Sequence, residues 1–312
     1  MEKSLKNTNV VVIGADGYVG SILVNELKAQ AVVYNKTKQN EILIENLEST
    51  INNYEVIINS AGFRVMKGLT YQDYHRSHFG ETKKLLKLLT ESQFYIHISS
   101  ASVYGSSKLK IRPDSVPMPM FFPCPNYAIA KYEADFLVMK YATKKKIKFC
   151  IVRPAVLYSP NGEGMVATLL KFAKIGIILR LLPAKSIHHM CFMDLFVESM
   201  RKICEKKLES ESMIIADPFC ISNERLCGLI EVNAKRKINK IPIPLHILSS
   251  ILRKFPNLKN PKLDFSTMGE ILGIMNLNSS YYSSDIFKIL GIIKNKYCYE
   301  KSLKPMIEKE LS

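Results

Sequence analysis

The stretch NYAIAKYEA, residues 126–134, contains two residue types that can move protons. Tyr127 and Lys131 lie four positions apart, and this spacing puts both side chains on one face of a helix. A free tyrosine has a pKa of about 10, and a neighbouring ammonium group favours the tyrosinate and lowers that pKa. The YxxxK pattern occurs by chance in many chains, so the pair needs support from other residues.

Ser100 supplies that support. The sequence FYIHISSASVYG, residues 94–105, predicts a buried strand that ends in small polar residues. Strands of a doubly wound sheet direct their carboxyl ends towards a ligand crevice, so Ser100 can meet Tyr127, which follows 27 residues later. A serine that holds a substrate oxygen, with a tyrosine that transfers its proton, suits hydride transfer at the adjoining carbon. The pattern predicts Ser100, Tyr127 and Lys131 as the catalytic residues.

A glycine pattern near the start of the chain predicts a dinucleotide site. Gly14, Gly17 and Gly20 follow the apolar strand Asn9–Ile13 and precede the predicted helix Ser21–Ala29. The first glycine permits a tight turn, the second lets the backbone approach a pyrophosphate, and the third lets helix and strand pack closely. The free N–H groups of the helix N-terminus then attract the phosphates. The alternative is a merely structural turn.

The end of the second predicted strand selects between two forms of the dinucleotide. An acid at this position binds the ribose hydroxyls of NAD, whereas a basic residue accepts the 2′-phosphate of NADP. The sequence here is YNKTK, residues 34–38, with Lys36 and Lys38 as the candidate phosphate ligands and no acid. The sequence slightly favours NADP over NAD. The alternative is that both lysines are exposed loop residues of a lysine-rich chain.

The elements around these residues alternate between strands and helices, which predicts an α/β fold with a doubly wound parallel sheet. We expect a dinucleotide-binding domain at residues 1–160 and a smaller, mostly helical substrate lobe at 161–312. Segments near 188–207 and 212–218 are expected to return to the first domain. The predicted strands are Asn9–Ile13, Ala31–Lys36, Glu41–Asn46, Tyr54–Gly62, Phe94–Gly105, Lys148–Tyr158 and Ser212–Pro218. The predicted helices are Ser21–Ala29, Leu47–Asn53, Tyr71–Ser92, one from Tyr127, others near 165–175, 194–207 and 222–234, and an amphipathic one within Ile241–Phe255.

The charge balance of the chain is strongly basic, with 44 Lys and Arg against 28 Asp and Glu and a formal net charge of +16. Such a surface suits nucleic acid, an anionic membrane or a phosphorylated ligand; the alternative is a general excess of lysine. The lysines are spread out without interleaved aromatic residues, which argues against nucleic acid. No apolar run reaches the roughly 18–20 residues of a membrane span, and the N-terminus has no apolar signal core.

The cysteines give an expectation about the compartment. There are seven, an odd number, without a CxxC pair. In a chain of 312 residues this argues against a disulfide framework and gives no support to a zinc site. Free thiols suit a reducing environment, so we expect a cytoplasmic protein without a bound metal.

Six segments, in chain order, resemble one family of enzymes. They are GADGYVG, VIINSAGFRVM, HISSASVYG, NYAIAKYEAD, IVRPAVLYSP and CFMDLFVESM, and they span residues 9–200. On these motifs the chain resembles the extended short-chain dehydrogenase/reductases, the NAD-dependent epimerase/dehydratase family. It looks closest to the branch of nucleotide-sugar 4-epimerases and 4-ketoreductases. The resemblance implies a Rossmann fold and the catalytic roles of Ser100, Tyr127 and Lys131.

The resemblance also implies two sets of binding residues. The cofactor set is Gly14, Asp16, Gly17, Tyr18, Val19, Gly20, Asn35, Lys36, Asn46, Ser60, Ala61, Gly62, Lys131, Arg153 and Pro154. The substrate set is Arg64, Ser100, Tyr127, Tyr158 and Lys185.

The reaction that the resemblance implies is hydride and proton transfer at a sugar carbinol or ketone, at C4 of a UDP-hexose or UDP-N-acetylhexosamine. An epimerase keeps NAD and returns the hydride to the other face of the sugar, whereas a reductase uses exchangeable NADPH. A homodimer is a family-level expectation. Two alternatives remain, a ketone reductase on a non-sugar substrate and a catalytically silent NAD(P)-binding subunit.

The chain departs from the family pattern at the predicted diphosphate contact. An arginine commonly precedes the segment that corresponds to CFMDL, whereas this chain has KSIHH at residues 185–189. Lys185, His188 and Arg180 are the candidate replacements; the alternative is that His188 and His189 are polar residues of a strand or the surface. His78 replaces an asparagine of the family. The apolar residues in 118–122 form either a lid over the substrate or anchors of a loop.

Overall fold

The structure, a computed structural model, describes residues 9–33, 44–66, 68–106, 110–160, 165–234, 239–244, 247, 249–250 and 279–311. Two predicted cofactor residues, Asn35 and Lys36, lie outside these ranges, and so does Lys38. The site is therefore described from the residues that surround the strand ends.

Strands and helices alternate along the first half of the chain. Within the described residues the strands are β1 (Val10–Ile13), β2 (Gln30–Val32), β3 (Val56–Asn59), β4 (Phe94–Ile98), β5 (Lys148–Pro154), β6 (Val156–Tyr158), β7 (Ile177–Leu182), β8 (Ile187–His188), β9 (Met190–Phe192), β10 (Ser210–Ile215), β11 (Ile221–Ser222) and β12 (Asn239–Pro244). The α-helices with described bounds are α1 (Tyr18–Leu27), α2 (Ile44–Ile51), α3 (Tyr71–His75), α4 (Glu81–Leu88), α5 (Pro125–Lys144), α6 (Met165–Lys174), α7 (Met193–Lys206), α8 (Asn223–Asn233), α9 (Ser284–Leu290) and α10 (Tyr299–Leu311). A π-helical segment, Arg76–Gly80, joins α3 to α4, and 3₁₀ turns lie at Ala101–Tyr104, Pro119–Phe121 and Lys294–Lys296.

Six strands form one parallel sheet in the order β10-β5-β4-β3-β1-β2. The chain leaves β1 for β2 on one side and then adds β3 on the other side of β1. In open α/β sheets, ligands bind outside the carboxyl ends of the strands at the point where the order reverses. The predicted α/β fold with a doubly wound parallel sheet is confirmed.

Both faces of the sheet are buried, and strand residues alternate between two apolar clusters. Val10 and Val12 belong to the cluster that α1, α7 and α9 cover. Val11 and Ile13 belong to the opposite cluster, which α2, α4 and α5 cover. Because successive strand residues point to opposite faces, a strand that is covered on both sides has a continuous apolar sequence. This explains why VVVI in β1 contains no polar residue.

A third apolar cluster lies in the second half of the chain. It gathers residues of β7, α6, α8 and α10, among them Leu170, Leu226 and Met306. Three strand pairs flank it: β7 with β12 and β6 with β9 are parallel, and β8 with β11 is antiparallel. β10, by contrast, joins the main sheet beside β5. The division of the chain into domains at residue 160 stays a prediction.

Two predicted elements have a different secondary structure. Residues 44–46 of the predicted strand Glu41–Asn46, including the predicted cofactor residue Asn46, belong to helix α2. Leu47 and Ile51 of α2 are both buried, and their spacing of four residues is that of one helix face.

The first residues of the predicted amphipathic helix Ile241–Phe255 form strand β12 instead. β12 pairs in parallel with β7. Pro242 and Pro244 have no N–H to donate, which a strand at a sheet edge tolerates. Residues 247 and 249–250 are helical, and residues 251–255 lie outside the described ranges.

The predicted long helix Tyr71–Ser92 is divided and ends at Leu88. The π-helical segment Arg76–Gly80 interrupts it. Single π-helical turns occur frequently at functional sites, and this one contains His78, which is buried.

Candidate active site

The glycine loop joins β1 to α1 at the point where the strand order reverses. Gly14 has a φ of +80°, a left-handed conformation that disfavours residues with a Cβ. A Cβ at Gly20 would lie 2.1 Å from Gly14 O, so the helix approaches the strand too closely for any side chain. These two positions therefore require glycine. Gly14 permits the tight turn and Gly20 permits the close packing of helix and strand, as the predicted pattern expects.

The N-terminus of α1 suits an anionic group. Gly17 is the N-cap residue; it provides no side-chain cap, and the first turn of the helix has no acid. The first N–H groups of a helix have no partner within the helix, and they attract phosphate. The backbone here fits the pyrophosphate of NAD(P), with Asp16 exposed in the turn and Val19 packed against the core.

The loop after β3 borders the glycine loop. Ser60 Oγ donates a hydrogen bond to Ile13 O at 2.7 Å, and Ala61 N donates to Asn59 Oδ1 at 3.1 Å. Tyr18 OH and Ser159 Oγ, at 2.5 Å, connect the start of α1 with the end of β6. The structure thus brings the predicted residues Tyr18, Ser60 and Ala61 to one edge of the sheet.

Ser100 and Tyr127 meet at the carboxyl end of β4. Ser100 lies two residues after the last residue of β4, and its Oγ accepts a hydrogen bond from Ser102 N at 3.1 Å, which fixes the hydroxyl at the start of a 3₁₀ turn. Tyr127 lies in the first turn of α5, which begins at Pro125. The Ser100 hydroxyl is close enough to Tyr127 to lower its pKa, and both residues are half-buried. The predicted strand-end serine and helical tyrosine therefore lie together.

Lys131 lies one helical turn after Tyr127 and is almost completely buried. Its Nζ donates a hydrogen bond to Ile98 O, the last carbonyl of β4, at 2.9 Å. Burial lowers the pKa of Lys131 to about 8, and the negative charge of Asp135 opposes that decrease. The ammonium thus lies beside the strand end that carries Ser100.

The sequence argument expects Lys131 and an oxidised nicotinamide together to lower the pKa of Tyr127, whereas in the protein alone this pKa is raised. Burial raises the pKa of Tyr127 to about 12, and the Ser100 hydroxyl opposes this increase. Lys131 directs its ammonium to Ile98 O, and desolvation of the phenolate is the larger effect. The protein alone therefore keeps Tyr127 protonated at neutral pH.

Two aromatic rings form a wall against Tyr127. Tyr74 and His78 stack with their centroids 6.1 Å apart, and each meets Tyr127 edge to face, at 5.7 Å and 5.5 Å. Burial and the charge of Lys131 hold the pKa of His78 well below its usual value. A Cβ at Gly62 would lie 2.2 Å from His78 Nδ1. The glycine in the loop after β3 thus allows His78 to fill this position.

Arg153 and Pro154, two predicted cofactor residues, lie inside the protein. Arg153 Nε donates a hydrogen bond to Asp135 Oδ2 at 2.9 Å, and Nη1 donates to Tyr104 OH at 2.7 Å and to Ser212 Oγ at 2.6 Å. Pro154 is buried in β5. These contacts favour a packing role for Arg153 over contact with a ligand.

Tyr158, a predicted substrate residue, is also buried. Its hydroxyl donates a hydrogen bond to Asp217 Oδ2 at 2.8 Å and lies 2.7 Å from Ser302 Oγ. Lys185 and Arg64, the other predicted substrate residues outside the catalytic set, are exposed. The loop of Arg64 is anchored by Met66 N, which donates to Tyr74 OH at 2.9 Å.

His188 and His189 form part of a buried polar cluster in the second half of the chain. His188 Nε2 pairs with Asn223 Oδ1 at 2.7 Å. His189 Nδ1 accepts a hydrogen bond from Tyr281 N at 2.9 Å, so its Nε2 carries the proton and donates to Asp217 O. Burial lowers the pKa of His189 to about 4. Neutral, buried imidazoles are poor ligands for a diphosphate. His188 is a residue of strand β8, and His189 lies between β8 and β9.

The apolar loop between β4 and α5 leaves two large side chains in water. Met120 and Phe121 are 74% and 64% exposed. Met118 N donates a hydrogen bond to Val103 O at 3.0 Å, which attaches the loop to the turn after Ser100. Both earlier interpretations, a lid and a loop anchor, remain open.

Asp135 is a residue that the sequence interpretation missed. It lies four positions after Lys131 and eight after Tyr127 on α5, and its side chain is fully buried. The repeated spacing of four was a usable signal, since a carboxylate on the buried face of a helix requires a partner. Arg153 is that partner, and the sequence alone does not indicate the pairing.

A family comparison agrees with this geometry. The model of the NAD dependent epimerase/dehydratase family matches residues 10–176, more than half of the chain. The match contains the glycine loop, Ser100, Tyr127 and Lys131. No curated protein sequence matches the chain. Among the residues that the structure describes, no helix has the length and apolar composition needed to cross a bilayer.

Several solved structures share the fold at low sequence identity. UDP-glucuronic acid 4-epimerase from Bacillus cereus in complex with NAD has a TM-score of 0.71 and 16% identity, with 96% of each chain covered. UDP-N-acetylglucosamine 4-epimerase from Bacillus cereus has a TM-score of 0.72 and 15% identity, with 98% of this chain and 100% of that chain covered. RMD from Pseudomonas aeruginosa complexed with NADPH has a TM-score of 0.71 and 13% identity, with 97% and 99% covered.

Proposed function

Because this chain belongs to the NAD dependent epimerase/dehydratase family, we propose that it transfers a hydride and a proton at a carbinol or ketone carbon of a nucleotide sugar. The observation that carries the proposal is that the side chains of Ser100, after the end of β4, and Tyr127, in the first turn of α5, are neighbours, with Lys131 one helical turn further along α5. A substrate oxygen within reach of both hydroxyls can exchange a proton with Tyr127.

The cofactor is held by the glycine loop in this proposal. Gly14 and Gly20 leave room for the backbone to approach the pyrophosphate, and the N–H groups after Gly17 bind it. When bound, NAD(P) accepts or supplies the hydride, and its oxidised ring adds a positive charge beside Tyr127. NADP is slightly preferred, on the sequence argument from Lys36 and Lys38.

Tyr127 exchanges the proton, and Ser100 orients the substrate oxygen. The protonated phenol, whose pKa is about 12, suits proton donation to a ketone oxygen. As a base, Tyr127 needs additional positive charge nearby, because an opposite charge favours tyrosinate. Lys131 supports this exchange with an ammonium fixed against Ile98 O.

The substrate in this proposal is a UDP-hexose or UDP-N-acetylhexosamine that reacts at C4. The sequence motifs of the 4-epimerase and 4-ketoreductase branch support it, and two solved structures of the same fold are named as UDP-sugar 4-epimerases. Lys185 and Arg180 are exposed cations available for the diphosphate, whereas His188 is buried and paired with Asn223.

Purified protein tests the proposal. Mass spectrometry of the dinucleotide released on denaturation identifies the cofactor, and NMR of mixtures with UDP-glucose or UDP-N-acetylglucosamine detects the 4-epimers. Interconversion without net consumption of NADPH indicates an epimerase. Oxidation of NADPH only with a 4-keto nucleotide sugar indicates a reductase. If no nucleotide sugar is bound or converted with either dinucleotide, the proposed substrate class is wrong.

A ketone reductase acting on a non-sugar ring is the second candidate. The exposed side chains of Met120 and Phe121, in the loop that is attached to the turn after Ser100, support an apolar substrate. NADPH oxidation with apolar cyclic ketones, in the absence of any response to nucleotide sugars, would favour this candidate.

A further inference from the structure

Lys131 belongs to a buried group of charges that continues into the protein along α5. Tyr127, Lys131 and Asp135 follow one another at intervals of four residues, so they lie on one face of the helix. Lys131 is 6% exposed and Asp135 is 0% exposed. The predicted catalytic lysine therefore has a carboxylate one turn further from the crevice, in a region of low dielectric constant.

Asp135 is held by residues from the two neighbouring strands. Arg153 Nε of β5 lies 2.9 Å from Oδ2, and His97 Nε2 of β4 lies 3.5 Å from Oδ1. Arg153 is itself fixed by Tyr104 OH and Ser212 Oγ. Arg153 therefore fixes the carboxylate through Oδ2, and Oδ1 faces His97 without a hydrogen bond.

The titratable and charged groups that face Asp135 come from three elements. They are Tyr127 and Lys131 of α5, Tyr95 and His97 of β4, and Arg153 of β5. Burial and the two cations hold the pKa of His97 well below its usual value, and burial raises the pKa of Tyr95. His97, Tyr95 and Tyr127 are therefore neutral near pH 7. Burial raises the pKa of Asp135, and the charge of Arg153 opposes this increase. Asp135 is the only carboxyl among these groups, and it faces the two basic residues Lys131 and Arg153.

We propose that Asp135 is a positioning residue that keeps the Lys131 ammonium charged and directed at Ile98 O, with Arg153 fixing the carboxylate. Arg153 remains charged at any ordinary pH, so loss of the Asp135 charge leaves two cations buried close together. Lys131 is the one that can release its proton. The inference rests on the proposed catalytic roles of Tyr127 and Lys131.

The test measures the protonation of Lys131 directly. In protein labelled with ¹³C-lysine, the ¹³Cε shift of Lys131 reports the charge of Nζ, and the spectrum of Lys131→Met identifies the signal. We expect a titration midpoint near 8 in the wild type, as burial lowers the pKa of Lys131 to about 8. In Asp135→Asn the midpoint should be lower by at least about one pH unit, because an opposite charge at this range shifts a pKa by 1–3 units.

Three further variants separate positioning from structural support. Asp135→Glu keeps the charge and should restore the midpoint to within a few tenths of a unit. The double variant Asp135→Asn/Arg153→Gln removes the unpaired arginine, so it folds where Asp135→Asn fails. Glu133→Gln is the matched control, because Glu133 lies on the same helix and bonds Tyr71 OH at 2.8 Å on the surface. It should leave the midpoint unchanged.

The outcomes are distinct. A folded Asp135→Asn protein with the wild-type midpoint would overturn the inference and leave a purely structural role. If neither Asp135→Asn nor Asp135→Asn/Arg153→Gln folds, the titration of Lys131 in the wild type is the test. A Lys131 that has already lost its proton at pH 7 contradicts the inference, and a charged Lys131 supports it. If the midpoint shifts as expected but no nucleotide sugar is converted by the wild type, the proposed function fails and the role of Asp135 stands.

An active enzyme gives a second measurement. If turnover needs the Lys131 ammonium, the alkaline limb of the kcat profile of Asp135→Asn should move to lower pH by the same amount as the NMR midpoint. At pH 8 we expect kcat to fall about fivefold for a shift of about one unit from a midpoint near 8, with a smaller change in KM. A uniform decrease of kcat at every pH would contradict the inference.

Discussion

Tyr127 and Tyr158 each lie beside a serine, Ser100 for one and Ser302 for the other. Tyr158 has a second partner, the carboxylate of Asp217 at 2.8 Å, and it is buried. Tyr127 is half-buried at the crevice, with Lys131 one helical turn away.

Burial raises the pKa of both tyrosines, but their neighbours differ in charge. Next to Tyr158 the carboxylate of Asp217 adds to the effect of burial, and the pKa lies well above the usual value. The pKa of Tyr127 is about 12, and its serine partner lowers it. Similar side chains thus build a neutral structural cluster around Tyr158 and a site suited to proton exchange around Tyr127.

Tyr127→Phe should have the largest effect on activity. We expect turnover to fall by about 10³-fold, because proton transfer by a positioned side chain contributes 10²–10⁴-fold. Thermal unfolding should change little. Tyr132→Phe, on the same helix, is the matched control and should keep full activity. Wild-type turnover in Tyr127→Phe would show that the two tyrosines do not differ as described.

Asp217→Asn should change how stability depends on pH. Burial raises the pKa of Asp217 to about 7, above its unfolded value of about 3.9. The folded state then binds more protons between about pH 4 and pH 7, so stability falls as pH rises through this range, by up to about 4 kcal/mol.

The difference in free energy of unfolding between wild type and Asp217→Asn, measured by urea denaturation, isolates this contribution. His189, whose pKa is about 4, contributes to both proteins and cancels. A difference that stays constant from pH 4 to pH 7 would show that Asp217 ionises normally in the folded protein.

Lys131→Met should reveal a contribution to stability that depends on pH in the opposite direction from that of Asp217. The pKa of Lys131 is about 8 in the folded protein and about 10.4 in an unfolded chain. The unfolded state binds more protons between these values, so this group makes stability rise with pH from about 8 to 10.4, by up to about 3 kcal/mol. Urea denaturation of both proteins at several alkaline pH values measures it. Parallel curves for wild type and variant would contradict the prediction.

Tyr158→Phe should give the smallest effect, and it should act on stability. Loss of the hydroxyl leaves Asp217 and Ser302 each without one buried partner, which costs about 1–3 kcal/mol. Turnover should stay within about twofold of wild type at a temperature where the protein is folded, since the Tyr158 hydroxyl is buried and bonded to Asp217 and Ser302. A large decrease in kcat with normal stability would instead support its predicted contact with substrate.

The sequence predicted the local parts of the site well. The glycine loop, the strand end at Ser100 and the helical pair Tyr127 and Lys131 each depend on residues close together in the chain. Strand ends, turns and helix faces follow from local spacing, so the positions agree with the prediction. The resemblance to the epimerase/dehydratase family is confirmed by the family match.

The sequence was less informative where partners are distant. Ile243 and Pro244 were predicted within the amphipathic helix, yet their pairing with β7 places them in a strand. The pKa of Tyr127 was expected to fall beside Lys131 and an oxidised nicotinamide, and in the protein alone burial raises it. In each case the secondary structure or the pKa depends on contacts with segments that are distant in the sequence.

By itself the sequence determined the α/β class and the places of the glycine motif, Ser100, Tyr127 and Lys131 in their elements, because these depend on spacings of a few residues. Only the tertiary structure decided which polar residues are enclosed and paired. Arg153 bonds Asp135, which lies 18 positions away in the sequence, and Tyr158 bonds Asp217, which lies 59 positions away. Burial and charge pairing depend on such contacts between distant segments, and they make the surroundings of Tyr127 differ from those of Tyr158.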